Sequence, residues 1–237
     1  LERVYRIRAK QLGEEDLSTL SSAYQLGSLY LVQARFDDAE SFLMETWHTR
    51  RRLLGEQHAD TLASAVEMAY LSLLHGSSVV NDVAGLFAET FETARGVLGE
   101  EHQTTLEAML GLATLYHISS RHEEAESLYT RGLETAERVL SAEHEVTLQF
   151  MSLLALLQCS QGRIEQGVRN ITKALETSQR ALGSKHPITI QAMFVHGVTY
   201  AVQGQVEDAE PLIEESVQLS RRMLGDEHFW TLHYMYS

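Results

Sequence analysis

Cysteine occurs once in this 237-residue chain, at Cys159, so no disulfide can form within it, and a lone thiol suits a reducing, cytoplasmic setting. Proline is almost as scarce. Only Pro187 and Pro211 stand in a sequence rich in Ala, Leu and Glu, which leaves long stretches free to be helical. Positive charge is in deficit, with 19 Lys and Arg against 33 Asp and Glu and a formal net charge of −14. That balance argues against a nucleic acid or an anionic membrane surface as partner, because both call for clustered cations. No apolar run approaches the ~18 residues that a membrane span needs. There is no signal peptide, and Leu1–Leu12 reads as the end of a helix that began earlier. The chain is therefore expected to be a section of a longer polypeptide. Walker, GxGxxG, HExxH and GxSxG motifs are missing too, so the expectation is a non-enzyme that needs no cofactor.

What the chain has is repetition. LGEEDLSTL (Leu12–Leu20) returns as LGEQHADTL (Leu54–Leu62), LGEEHQTTL (Leu98–Leu106), LSAEHEVTL (Leu140–Leu148), LGSKHPITI (Leu182–Ile190) and LGDEHFWTL (Leu224–Leu232). The opening leucines are spaced 42, 44, 42, 42 and 42 residues apart. Each period has room for two amphipathic helices, A and B, joined by a short turn. Helices A are expected near 17–33, 59–75, 103–119, 145–161 and 187–203, and helices B near 37–53, 81–97, 123–139, 165–181 and 207–223. The two extra residues of the second period fall in Gly76–Asp82. In this reading 1–237 is one all-α, right-handed superhelical solenoid of antiparallel hairpins. Residues 1–12 end a helix B, repeats cover about 13–54, 55–98, 99–140, 141–182 and 183–224, and 225–237 start another helix A.

The turns and seams carry matching signals. Gly13, Gly55, Gly99, Gly183 and Gly225 follow the last leucine of each helix B, where a left-handed residue ends a helix cheaply. Ser141 takes that place once, which predicts a looser junction there. Small residues recur where A must approach B: Gly27, Ala69, Gly111, Ala155 and Gly197 on A, with Ala39, Ala125, Gly167 and Ala209 on B. Bulky partners sit beside them, among them Leu43, Phe87, Tyr129, Ile171 and Ile213.

On these residues the chain resembles the tetratricopeptide repeat: Gly then Tyr on helix A (Gly27/Tyr30, Gly111/Tyr116, Gly197/Tyr200), then Ala and a large residue on helix B. The 42-residue period with its LGxxHPxT junction is similar to kinesin light chain repeats. It is more similar still to the arrays of fungal and bacterial STAND receptors (NB-ARC/NACHT type). The resemblance implies a non-catalytic module that binds a protein or peptide, as the sensing or scaffolding region of a larger signalling receptor. The alternative it implies is a kinesin-light-chain-like cargo adaptor. Kinesin light chain repeats carry an Asn pair ahead of the small residue of helix A. The pairs here, Tyr24-Gln25, Val66-Glu67, Leu110-Gly111, Ser152-Leu153 and Phe194-Val195, contain none, which favours the receptor reading.

The resemblance places the A helices on the concave side of the superhelix. Residues three and four apart on the face away from B would then line a binding groove. The candidates are Tyr24, Ser28, Val66, Tyr70, Glu107, Leu110, Thr114, His117 and Phe194, with Ser21, Ala63, Gln149, Leu156, Gln191 and Val198 at matching positions. The set is apolar and aromatic without Lys, Arg or Asn, as a peptide or helix site requires. Some of these positions could instead be core between repeats. The junction histidines His58, His102, His144, His186 and His228 belong to separate repeats, too far apart to share a metal ion, and are expected to bond turns or helix ends. Asn170-Ile171-Thr172 is a glycosylation sequon whose central residue occupies a core position. The apolar chain ends, Leu1–Leu12 and Phe229, Trp230, Tyr234 and Tyr236, point to self-association.

Overall fold

Helix formers at helical spacing produce helices over nearly every stretch between the turn signals. The computed structural model describes residues 1–75 and 82–225, together with Thr231 and Met235. The extended turn at 76–81, His228 and the aromatic residues of 226–237 lie outside the described residues. The helices are α1 (Glu2–Leu12), α2 (Leu17–Val32), α3 (Phe36–Leu54), α4 (Ala59–His75), α5 (Val83–Leu98) and α6 (Gln103–Ile118). They continue with α7 (His122–Val139), α8 (Glu145–Ser160), α9 (Ile164–Leu182), α10 (Pro187–Val202) and α11 (Val206–Leu224). Among the described residues there is no strand, and no helix is long and apolar enough to cross a membrane. Even-numbered helices are type A and odd-numbered ones type B.

The chain divides into two compact units, Leu1–Gly111 and Leu112–Ser237, each built from the same hairpins. The first has its core between α2, α3 and α4, where Leu26, Tyr30, Leu31, Ala39, Leu43, Met68 and Leu71 pack together. In the second, Met151, Ala155, Ile171, Ala174, Leu175, Ala192, Met193 and Val195 form the equivalent core of α8, α9 and α10. Each large side chain buried this way contributes about 1.5–3 kcal/mol. One hairpin alone would leave half of these faces wet, so the A helix of each repeat also covers the B helix before it.

Two kinds of turn alternate. The A-to-B turns are Schellman closures: Arg35 N–H donates to the Tyr30 carbonyl at 2.9 Å and Ala34 N–H to that of Leu31 at 3.1 Å. The same pair of bonds recurs at Ser120-Arg121, Gly162-Arg163 and Gly204-Gln205. Ala34 and Ser120 sit in the left-handed region there, at φ 53° and 60°. Where Arg follows and Tyr precedes, the guanidinium lies over the ring, 4.0 Å away for both Arg35–Tyr30 and Arg121–Tyr116. The tyrosines of the repeat signature thus hold the turns.

The B-to-A junctions depart from expectation. Gly13, Gly55, Gly99, Gly183 and Gly225 have φ between 86° and 99° but ψ between 158° and 167°, outside the left-handed helical well. The backbone must leave the helix almost straight to reach the next one, and this region is essentially reserved for glycine. Ser141, standing where the others have glycine, takes a similar positive φ. It is forced to φ 100°, and the Thr147 hydroxyl donates to its carbonyl at 2.7 Å, as Thr105 does to Gly99 at 2.8 Å.

One seam residue was placed wrongly by the sequence pattern. Gly111 does not face its own helix B; a methyl group there would stand 2.2 Å from the Phe87 ring of α5. The two-residue insertion shifts the register, so the small residue three before Tyr116 is Ala113, which is fully buried. Gly27 and Gly197 do approach their own B helices, at Leu43 and Ile213.

Candidate functional site

Each A helix must bury three of its sides, one against its own B helix and two against neighbouring repeats. Only a narrow stripe is left half-exposed, and its position is set by how the repeats stack. Two of the expected groove positions fall on it in every repeat: Ser21, Ala63, Glu107, Gln149 and Gln191, and one turn further Ser28, Tyr70, Thr114, Leu156 and Val198. His117, near the end of α6, is half-buried as well. The position between them behaves differently. Tyr24 is half-buried, but Val66, Leu110 and Phe194 are only 2%, 3% and 6% exposed. These three fill the seam between helices and offer no open surface. Phe194 packs with Ile190 against Val198, Ile213 and Val217.

The first unit has the most structured part of the stripe, across α2, α4 and α6. Tyr24 on α2 reaches α4, its hydroxyl 3.5 Å from the Glu67 carboxylate, a long hydrogen bond. Tyr70 on α4 reaches α6, donating to the Glu107 backbone carbonyl at 3.2 Å, with its ring edge-on to Phe87. The Gln103 amide donates to the Glu107 carboxylate at 2.8 Å. Glu67, which is not among the candidates read from the sequence, is half-exposed on the same face of α4. Burial, and then the neighbouring Glu107 charge, push its carboxyl up to about 7, against the pull of the Tyr24 hydroxyl. Burial and both carboxylates also raise Tyr24 well above the usual phenol range.

Beneath Tyr24 lies a second missed group, Arg50. It is almost fully buried, its guanidinium 4.9 Å from the centre of the Tyr24 ring. It donates to the Asp60 carbonyl at 3.1 Å and the Ser64 hydroxyl at 2.9 Å. Arg8 makes the same two bonds one repeat earlier, to the Ser18 carbonyl and the Ser22 hydroxyl. The signal was legible: Arg followed by Ser fourteen residues on, twice, one period apart. Burial lowers the affinity of Arg50 for its proton, but guanidinium remains charged.

In the second unit the stripe is quieter. The Tyr129 hydroxyl meets Thr114 at 3.3 Å, and the His117 ring lies edge-on to Tyr129 and His122. Burial and His122 lower the pKa of His117. His196 stacks on Tyr200 and reaches the Thr172 hydroxyl at 3.3 Å; burial lowers its pKa too. Ile171 of the sequon is fully buried.

The junction histidines cap helices. Nδ1 of His58, His102, His144 and His186 accepts the backbone N–H two residues on, at 3.2–3.4 Å, as the Asp16 carboxylate does from Ser18 at 2.8 Å.

Comparison with known proteins agrees with this geometry. One tetratricopeptide repeat family model matches residues 85–138 and 146–222, and a second matches 19–60. Among solved structures, the kinesin light chain nearly identical TPR-like repeats from Podosopora anserina are 22% identical, with a TM-score of 0.59. That match covers 86% of this chain and 96% of the other. BtubC (BKLC) from P. vanneervenii is 18% identical, with a TM-score of 0.64, over 94% of this chain and 88% of the other. At such identities the likeness is one of fold. None of the curated proteins compared matches.

Proposed function

Since the chain belongs to the tetratricopeptide repeat family, whose repeats generally mediate protein–protein contacts, we propose that it is a non-catalytic module binding a protein or peptide along its A helices. The observation that supports this is the recurring half-exposed stripe, which repeats at two positions on every A helix and carries no Lys or Arg at either. Tyr24, Ser28, Tyr70, Glu107, Thr114 and His117 are its contact residues, while Val66, Leu110 and Phe194 support it from beneath. We place the module in the sensing or scaffolding region of a larger STAND-type receptor, on the strength of the junction motif and the missing Asn pairs. The cargo-adaptor alternative draws support from the kinesin light chain named among the similar structures. A nucleotide-binding domain in the full-length gene product would favour the receptor.

Fluorescence polarisation against acidic, basic and Trp-containing peptides tests the binding face. Replacing a half-buried aromatic anchor such as Tyr70 by Ala should weaken a bound peptide by about 2 kcal/mol or more. Peptide binding that is indifferent to Tyr70→Ala and Tyr24→Ala overturns the proposal. We extend it to self-association, because Leu1 and, on α1, Val4, Ile7 and Leu12 are exposed beside a groove of about 750 Å³ between α1 and α2. Sedimentation velocity should then show concentration-dependent association that Ile7→Lys weakens.

A further inference from the structure

The groove between α1 and α2 has the shape of a helix site and the charge of an acid site. Leu1, Ile7 and Leu29 give it an apolar lining. Leu1 and Leu29 are 52% and 38% exposed, yet their counterparts in later repeats, Leu43 and Phe87 for the first and Leu71 and Leu157 for the second, are fully buried. Beside α3 the helix that covers these positions is α2, where Leu26 and Tyr30 pack with Leu43 and Leu71. The groove thus has the outline of the place that an A helix fills. Its charge is distinctive. α1 carries Arg3, Arg6, Arg8 and Lys10 against Glu2 alone, in a chain of net charge −14. Arg6 stands where α5, α7 and α9 carry Glu92, Glu134 and Glu176.

The array itself shows what such cations bind. Lys173 of α9 meets Glu137 of α7 at 3.3 Å, and Arg180 of α9 meets Glu143, just beyond α7, at 2.9 Å. Arg52 of α3 meets Glu15, just beyond α1, at 2.7 Å. Each pair joins a B helix to a carboxylate on the B helix before it, or on the junction that follows that helix. Counted back from the last leucine of its helix, Arg3 holds the position of Lys173, and Lys10 that of Arg52 and Arg180. Both line the groove, exposed, and neither has an ionic partner among the described residues. The one acid lining the groove, Glu2, is committed: it accepts from Arg6 at 3.1 Å and from the Tyr30 hydroxyl at 2.8 Å.

We propose that this groove docks an acidic amphipathic helix of a partner protein, whose carboxylates pair with Arg3 and Lys10 while its apolar side chains cover Leu1, Ile7 and Leu29. Arg3 and Lys10 lie about 10 Å apart along α1, so the partner needs two carboxylates about two turns apart with an apolar residue between them. The proposal rests on the protein-binding reading, but its site is separate from the A-helix stripe. Self-association through α1 competes for the same groove.

Two labelled synthetic peptides test it by fluorescence polarisation: an amphipathic helix of Leu, Ala and Glu, with Glu flanking the Leu stripe, and its counterpart with Lys for every Glu. The acidic peptide should bind at least roughly tenfold more tightly than the basic one, and more weakly as salt is raised. Arg3→Glu with Lys10→Glu should reverse that preference. The milder pair, Arg3→Gln with Lys10→Gln, should abolish it, and serves if charge reversal impairs folding. In sedimentation the acidic peptide should displace self-association. Tyr24→Ala and Tyr70→Ala should leave its affinity unchanged, so failure here is distinguishable from failure of the stripe. Equal binding of the two peptides, or no binding, overturns the proposal, as does acidic-peptide affinity indifferent to Arg3→Glu with Lys10→Glu. Self-association abolished by the same charge reversal also overturns it, by making a second copy of this chain the occupant.

Discussion

At the scale of single residues, the junction histidines act through one nitrogen. His144 accepts the Val146 N–H at Nδ1, satisfying a donor that the first turn of α8 leaves without a helical partner. His144→Ala should lower stability by about 1 kcal/mol, and His144→Asn should restore most of it, as urea unfolding can measure. Phe194 makes the opposite point. The sequence places it on a groove face, yet it is nearly sealed between α10 and α11, so Phe194→Ala should cost about 3–5 kcal/mol through the cavity it leaves. A loss below about 1 kcal/mol, with binding abolished, would return it to the ligand face. The helical period shows which residues share a face. It does not show how far the next repeat rolls over that face, and this is why Val66, Leu110 and Phe194 lie buried in the seam while Ser28, Tyr70 and Thr114 lie on the half-exposed stripe.

At the scale of the element, the junction between α7 and α8 shows geometry overriding local preference. The other junctions supply glycine where the chain leaves helix B, but here Ser141 takes the same positive φ with a Cβ attached. Ser141→Gly should therefore stabilise the protein by about 1 kcal/mol, read as a rise in the urea midpoint at unchanged slope. An unchanged or lower midpoint would mean that the serine hydroxyl compensates for the strain. Helix spans were legible to within about two residues, because caps, glycines and apolar spacing all agree. The seam partner of α6 was not. Gly111 satisfied the small-residue pattern by composition, and only the two-residue insertion before α5 reveals that Ala113 holds the register.

At the scale of the whole molecule, helices fill both units, and far-UV circular dichroism should report helix content of around 70% or more with negligible strand. A strand-rich spectrum would contradict the architecture. The net charge of −14 is spread along a chain whose exposed ion pairs, such as Arg52–Glu15 and Arg180–Glu143, each contribute little. Screening should relieve the remaining repulsion, so thermal midpoints are expected to rise modestly from about 0.05 M to 0.5 M salt. A fall would show that the ion pairs outweigh the net charge. The repeat architecture is legible in composition and period alone. The chemistry of the half-exposed stripe depends on contacts between repeats, which a period cannot encode.

The capping histidines have one more consequence. An Nδ1 that accepts a hydrogen bond requires the ring proton to sit on Nε2, so four imidazoles, one per junction, are locked in a single tautomer. Nitrogen-15 chemical shifts distinguish the two tautomers. The chain thus carries four native spectroscopic markers, each reporting the opening of its own junction as the array frays or melts.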